Sequence, residues 1–397
     1  MLKFIALLRH NRNFRLISAV QFISLFGMWF SHTGIFTLLI ELNAPVWAVT
    51  ATAAMAFVPS IFLAPISGII VDKIPPKRLL VIVMSIEAVS VLMLVFIDTL
   101  ALLWLLLVII FVRMGVGGVA FQVEMSLLPK LLSKKGVKLA NEIHSIIWAV
   151  AYTLGMGLSG IFIYYFGVIN AFLFDFALYC VGFVIMSRLN LRAFASKNTD
   201  KVWQMLREGL GYLRSHPLVA HLIALHAFVG VTSYDNLIAL LANYEYKEIL
   251  SASLVIGFMN MARAVSLIVG PIVLSRFINA RTLPLVMLGQ FAGIALWSVL
   301  QFNYWISFIG LFAAGFCIST IWSYTFTQLQ NNCDSRFYGR VIAYNDMVYF
   351  IVAVGVSALI GLLFELGASL ALITFGMGAT FIVGALYYLY IRRNYGI

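Results

Sequence analysis

The stretch GIIVDKIPPKRLL, residues 68–80, crowds Asp72, Lys73, Lys77 and Arg78 around the Pro75–Pro76 pair, between two runs that are almost purely apolar. Consecutive prolines end a helix and force the chain to turn. Charges in such a link cannot enter hydrocarbon, so the flanking runs read as two membrane helices joined by a tight polar turn. The rest of the chain supports this. Of 397 residues, 63% are hydrophobic and 10% charged, against roughly 45–50% and about 25% in soluble domains. No stretch has ordinary surface composition, and a bilayer solvates such side chains from outside.

A spanning helix needs about 20 mostly apolar residues. Runs between polar or Pro/Gly breaks place spans near 14–40, 46–71, 79–97, 100–122, 141–165, 168–190, 218–243, 251–275, 282–302, 304–328, 338–364 and 367–391. The runs are continuous and lack a period of two, which selects helices over a barrel. The first apolar run continues to Ile40 without a small-residue cleavage site, so it reads as a span and not as a signal peptide. An all-α protein with twelve transmembrane helices is expected.

Orientation follows from Lys and Arg in the short loops. One side collects Lys3, Arg9, Arg12 and Arg15; Lys73, Lys77 and Arg78; Lys130, Lys134, Lys135 and Lys138; six cations from Arg188 to Arg214; then Arg276, Arg281, Arg336, Arg340, Arg392 and Arg393. The other side has only Lys247. Both termini are therefore expected on the cytoplasmic side. The net charge of +11 reflects this sidedness; it suits anionic lipid headgroups and needs no nucleic acid.

The longest polar segment divides the chain into a six-helix half over 1–190, a linker over 191–217 and a second six-helix half over 218–397. In the linker, Val202, Trp203, Leu206, Leu210 and Leu213 recur at helical spacing opposite Lys201, Arg207 and Arg214, as in an amphipathic helix on a membrane surface. The halves also align without a gap at an offset of 200 residues over 154–172 and 354–372, matching Gly155 with Gly355 and Gly167 with Gly367. Internal repeats of this kind are common in secondary transporters, with substrate held near the midplane between halves.

No HExxH, GxxxxGK[ST] or GxSxG occurs, so neither ATP hydrolysis nor a soluble-type active site is indicated. Cys180, Cys317 and Cys333 lack CxxC spacing, and no histidine set has metal-ligand spacing. The reading is a non-enzyme with no cofactor and no metal.

Gly68, Asp72, Lys73, Lys77 and Arg78 resemble the gate signature of the major facilitator superfamily between its second and third helices, with Pro75 where glycine is usual. Gly270, Arg276 and Arg281 keep a remnant in the second half. RMGVGGVA from Arg113 resembles a motif of proton-coupled members, with Val116 as a departure. Gly155, Gly157 and Gly160 resemble the antiporter motif of exporters, with Met156 and Ser159 departing. The stretches 207–225 and 127–141 are similar to the branch containing the enterobactin exporter and multidrug efflux proteins. The resemblance implies the major facilitator fold, two pseudo-symmetric halves and alternating access. In it Asp72 would face the N-terminus of the eleventh helix near Gly339 and Val341, and Glu124 is a partner for Lys73 or Lys77.

Ionisable groups at membrane depth are costly and mark function. His32, Glu87, Arg113, Asp175, Asp235, Arg263 and Asp346 are the candidates. The resemblance implies that the first, fourth, seventh and tenth helices line the cavity, so Glu87 and Asp175 fall on supporting helices. Arg113 lies mid-span. Arg263 is close enough in depth to pair with Asp235, and an acid whose proton affinity is set by burial and a nearby arginine suits proton coupling. Trp29, Phe36, Tyr152, Tyr234, Trp322 and Tyr324 fall on cavity-type helices, where aromatics with a polar end suit an amphipathic substrate.

The expected function is proton-coupled export of a small drug-like or siderophore-like molecule across the bacterial inner membrane, by a monomer embedded in lipid. A lipid or lysophospholipid flippase of the same fold is the alternative. From another class, a channel or membrane receptor competes, disfavoured by the two-half symmetry and the gate stretch.

Overall fold

The computed structural model describes residues 2–191, 202–334 and 337–396, with side chains undescribed at 2–4, 64–69, 72, 73, 129, 134, 135, 138 and 202–206. Gly68, Asp72 and Lys73 of the gate stretch, and Val202, Trp203 and Leu206 of the linker face, therefore lie outside the described side chains.

The helices are α1 (Leu2–His10), α2 (Arg12–Glu41), α3 (Val46–Met55), α4 (Val58–Lys73), α5 (Pro76–Leu94), α6 (Leu103–Leu131), α7 (Lys134–Phe166), α8 (Val168–Ser187), α9 (Val202–Ser215), α10 (Pro217–Ala227), α11 (Asp235–Leu240), α12 (Ala252–Leu274), α13 (Leu283–Leu300), α14 (Tyr304–Phe316), α15 (Ile318–Asn332), α16 (Tyr338–Glu365) and α17 (Leu370–Tyr395). Among the described residues, eleven helical stretches are long and apolar enough to cross a membrane, and the chain is a multi-pass membrane protein. The third predicted span, α5, is helical as expected, but its 19 residues include Lys77, Arg78 and Glu87. Pro75 and Pro76 sit at the α5 N-terminus, where a missing N–H costs least.

The chain forms two compact units. The first holds 1–44, 62–199 and 253–258; the second holds 45–61, 200–252 and 259–397. By their contacts 45–61 cluster with the second unit, and the first turns of α12 cluster with the first.

In the first unit α2 packs on α7 and α8, and α5 on α6 and α8. Asn11 ties the start of α2 together: its side chain accepts from the Phe14 amide at 2.9 Å and donates to the Leu131 carbonyl ending α6 at 3.1 Å. Small residues let α7 approach closely. Gly155 lies against Trp29, and Gly160 lies against Ser253 and Gly257 of α12.

In the second unit α13 packs on α14 and α17, and α16 packs on α3 and α10. Three predicted continuous spans are interrupted. The second bends between α3 and α4, and the tenth between α14 and α15 at Cys317. The seventh is broken most. α10 stops at Ala227, a 3-10 turn follows over Phe228–Thr232, Ser233 leaves helical geometry (φ −76°, ψ 82°), and α11 runs into a π-turn over Leu241–Glu245.

The linker helix α9 docks through Gly209 and Tyr212 on the start of α16, and not through Leu210, which is exposed. Tyr212 stacks on Phe337 (4.5 Å between centroids) and on His216 (4.0 Å), and its hydroxyl accepts from the Asp334 amide at 2.9 Å. Arg340 adds an ion pair to Glu208 at 2.7 Å.

The repeat seen in the sequence has a backbone counterpart. Gly167, linking α7 to α8, has φ +81°, and Gly367, linking α16 to α17, has φ +91°. Both turns need the left-handed region that glycine enters without strain.

Candidate functional site

Arginine–acid pairs lie inside both units, buried in the first and partly exposed in the second. In the first unit, Arg113 of α6 donates from Nη2 to Oδ2 of Asp175 on α8 at 2.6 Å, with side chains 5% and 0% exposed. Ser31 of α2 donates to the same oxygen. The other oxygen, Oδ1, lies against Gly27 of α2. Gly27 and Ser31 are four apart and so share one helix face; together they form a slot that fits a carboxylate. Glu87 of α5 comes to the same stretch of α6, its Oε1 lying against the Cα face of Gly117, one turn beyond Arg113.

The sequence places Asp175 on a supporting helix and names Arg113 separately, without joining the two; the Asp235–Arg263 pair it expects is also present. Helical periodicity shows which residues share a face, but not which helix the face meets. The available signal was Gly27–Ser31, a small and a hydroxyl residue one turn apart in an apolar span.

In the second unit, Arg263 of α12 sits at the break in the seventh span. Its Nη2 donates to the Thr232 carbonyl at 2.8 Å, Nη1 lies 3.6 Å from Oδ1 of Asp235, and the guanidinium stands 5.0 Å from the Tyr234 ring centroid. The break leaves Thr232 without a helical partner, and an unpaired carbonyl at membrane depth costs several kcal/mol. Arg263 supplies the missing donor. Asp235 and Arg263 are 19% and 15% exposed, so this pair is looser and wetter than Arg113–Asp175.

The predicted aromatics divide. Trp29 and Tyr152 meet at 4.5 Å, Trp148 joins them, and His32 lies between Trp29 and Phe36 at 5.6 and 5.1 Å. The Trp29 indole N–H has no partner among the described residues. Tyr234 does not line open space: it is 1% exposed and packed edge-on against Trp297. Trp322 stacks on Phe326 beside His226, whose Nδ1 is 2.8 Å from Thr325 Oγ1. His226, which sequence spacing did not single out, is the centre of that cluster. Tyr324 bonds to Gln328 on its own helix, and Asp346 accepts from its neighbour Asn345 at 3.2 Å.

Glu124 is not the partner of Lys77. Its Oε2 accepts from Gln21 at 2.6 Å, while Lys77 donates to the carbonyls of Leu189 (2.6 Å) and Ser187 (3.3 Å) at the end of α8. A helix C-terminus attracts a cation, and Lys77 serves as its cap. Gly155, Gly157 and Gly160 are buried, and the structure gives Gly155 and Gly160 a helix-packing role. Among the described residues no His, Cys, Asp and Glu group could hold a metal, and all three cysteines are free thiols.

A multi-pass bundle of apolar helices with arginine–acid pairs set among them suits a transporter. Residues 17–357 match the Major Facilitator Superfamily, and the chain belongs to that family. Among solved structures it is similar to the nucleoside transporter NupG (15% identity, TM-score 0.72, covering 96% of this chain and 99% of that one). It is also similar to the POT family transporter PepTSo (11% identity, TM-score 0.75, 97% and 98% covered). A third is a POT family transporter in complex with 5-aminolevulinic acid (13% identity, TM-score 0.73, 96% of each chain). Identities this low speak for the fold alone. No curated protein matches the sequence.

Proposed function

We propose that this transporter exports a small amphipathic molecule in exchange for protons, by alternating access, across a bacterial inner membrane with both termini inside. The observation that carries the reading is the Asp235–Arg263 pair at the break in the seventh span. Broken helices at membrane depth persist where they line a cavity or find replacement partners. An acid beside such a break, partly open to water and loosely held by an arginine, can alternate between ion-paired and protonated forms. The Trp29–Tyr152–Trp148 cluster supplies aromatic surface with polar ends for an amphipathic substrate. The similarity of Gly155, Gly157 and Gly160 to the antiporter motif supports the outward direction.

Asp235→Asn tests the coupling. Arg263 keeps its bond to Thr232 and its contact with Tyr234, so the variant should fold. In proteoliposomes, with the dye or siderophore that most raises the thermal stability of the purified protein, gradient-driven export should disappear while exchange without a gradient persists. Unchanged uphill export would remove Asp235 from the coupling. Collapse of the variant would instead make the pair structural, since breaking a buried pair costs roughly 3–5 kcal/mol. Cysteines at Asn43 and Lys247 should react with an impermeant maleimide from outside, and one at Lys77 should not.

A further inference from the structure

The first unit buries two carboxylates around one guanidinium. Arg113 and Ser31 both donate to Oδ2 of Asp175. Hydrogen bonds and an adjacent cation favour the ionised form of a carboxylate, and of the two acids it is Asp175 that holds the direct bonds to Arg113 and Ser31. Glu87 is 8% exposed. The groups facing it are Arg113 from α6, Asp175 and Tyr179 from α8 and, further along α6, Glu124. The other cations on its own helix, Lys77 and Arg78, are ten and nine residues away, and Lys77 is engaged at the end of α8. One positive charge therefore serves two buried acids. A second, uncompensated carboxylate would bear the full desolvation cost of a buried charge. Asp175 is wholly buried, and its Oδ1 has no hydrogen-bond partner among the described residues, so this polar site has more acceptors than donors.

We infer that Glu87 is a second proton-binding site, held neutral beside the Arg113–Asp175 pair and separate from Asp235. The inference rests on the proton-coupled reading for its purpose, but its chemistry stands without it. Gly117 leaves room for the carboxyl group on α6, and release requires water to reach α5 in another state of the cycle.

The test needs no substrate. Infrared difference spectra of the purified protein in lipid are recorded as pH is stepped through neutrality, following the carbonyl stretch of a protonated carboxylic acid. The wild type should show this band at neutral pH, and labelling with isotopic glutamate should shift it, assigning it to a glutamate and not to Asp175. Glu124 is equally buried and has, among the described residues, only the neutral Gln21 as its partner, so it contributes to the band as well. Glu87→Gln, which keeps the shape of the neutral acid, should melt like the wild type and lose the Glu87 share of the band, and Glu87→Gln/Glu124→Gln should lack the band. Glu124→Gln and Asp235→Asn should keep the Glu87 share. Absence of a protonated glutamate band from the wild type, or an undiminished band in Glu87→Gln, overturns the inference. Should Glu87→Gln fail to fold, labelled wild type and labelled Glu124→Gln decide: a shifted band in both supports Glu87, and loss in Glu124→Gln moves the proton to Glu124. Loss of export in Asp235→Asn leaves this result untouched, so the two proposals fail separately.

Discussion

Gly27 of α2 packs directly on Oδ1 of Asp175 of α8, and that oxygen fills the space a Cβ at position 27 would need. Asp175 reaches Arg113 because position 27 has no side chain. Gly27→Ala should push the carboxylate out of its slot and strain the ion pair. Overpacking costs typically 1–3 kcal/mol, and a damaged buried pair adds to it. The melting temperature in detergent should fall clearly. Gly376→Ala is the control: nothing lies within 4 Å of its added Cβ, and alanine is favoured over glycine in a helix by about 1 kcal/mol. Equal melting of the two variants would show that the slot is not tight.

Close approach of α7 to α12 makes a second prediction. Gly160 faces the Ser253 carbonyl, and a Cβ on Gly257 would stand 2.8 Å from the Met156 carbonyl. Backbone cannot yield as a side chain can, so Gly160→Ala and Gly257→Ala should each destabilise the protein strongly. Because either variant separates the same two helices, the double variant should cost less than the sum. Thermal melts of the four proteins give the coupling, and strict additivity would mean that the two glycines act independently.

Tyr212 is the third test. An aromatic stack is worth about 0.5–1.5 kcal/mol and a hydrogen bond about 1 kcal/mol. Tyr212→Ala removes the contacts with Phe337 and Asp334, so α9 should undock more often by roughly tenfold or more. Tryptic cleavage at Arg207 and Arg214 should speed up accordingly, while Tyr212→Phe, which loses only the hydroxyl, should show a smaller change. Unchanged cleavage in Tyr212→Ala would mean that other contacts hold the helix.

Much of this protein is written in composition and spacing. Membrane character, helices and their approximate limits follow from apolar runs, because lipid leaves a backbone few ways to satisfy its own hydrogen bonds. The glycine links at 167 and 367 were visible as a repeat and carry the same positive φ. Depth alone made Asp235 and Arg263 neighbours in the sequence reading, and the structure sets them 3.6 Å apart.

What only the tertiary structure decided is which faces meet. Arg113 chooses Asp175 because α2 presents Gly27 and Ser31 to α8; Lys77 chooses the end of α8 over Glu124; and the seventh span breaks where Arg263 can take the Thr232 carbonyl. Each choice matches a polar group on one helix to a donor or acceptor on another, hundreds of ångströms apart along an extended chain in some cases. Apolar runs look alike from every side, so their order in the sequence cannot specify these matches. Close packing and the cost of an unpaired polar group in hydrocarbon select them.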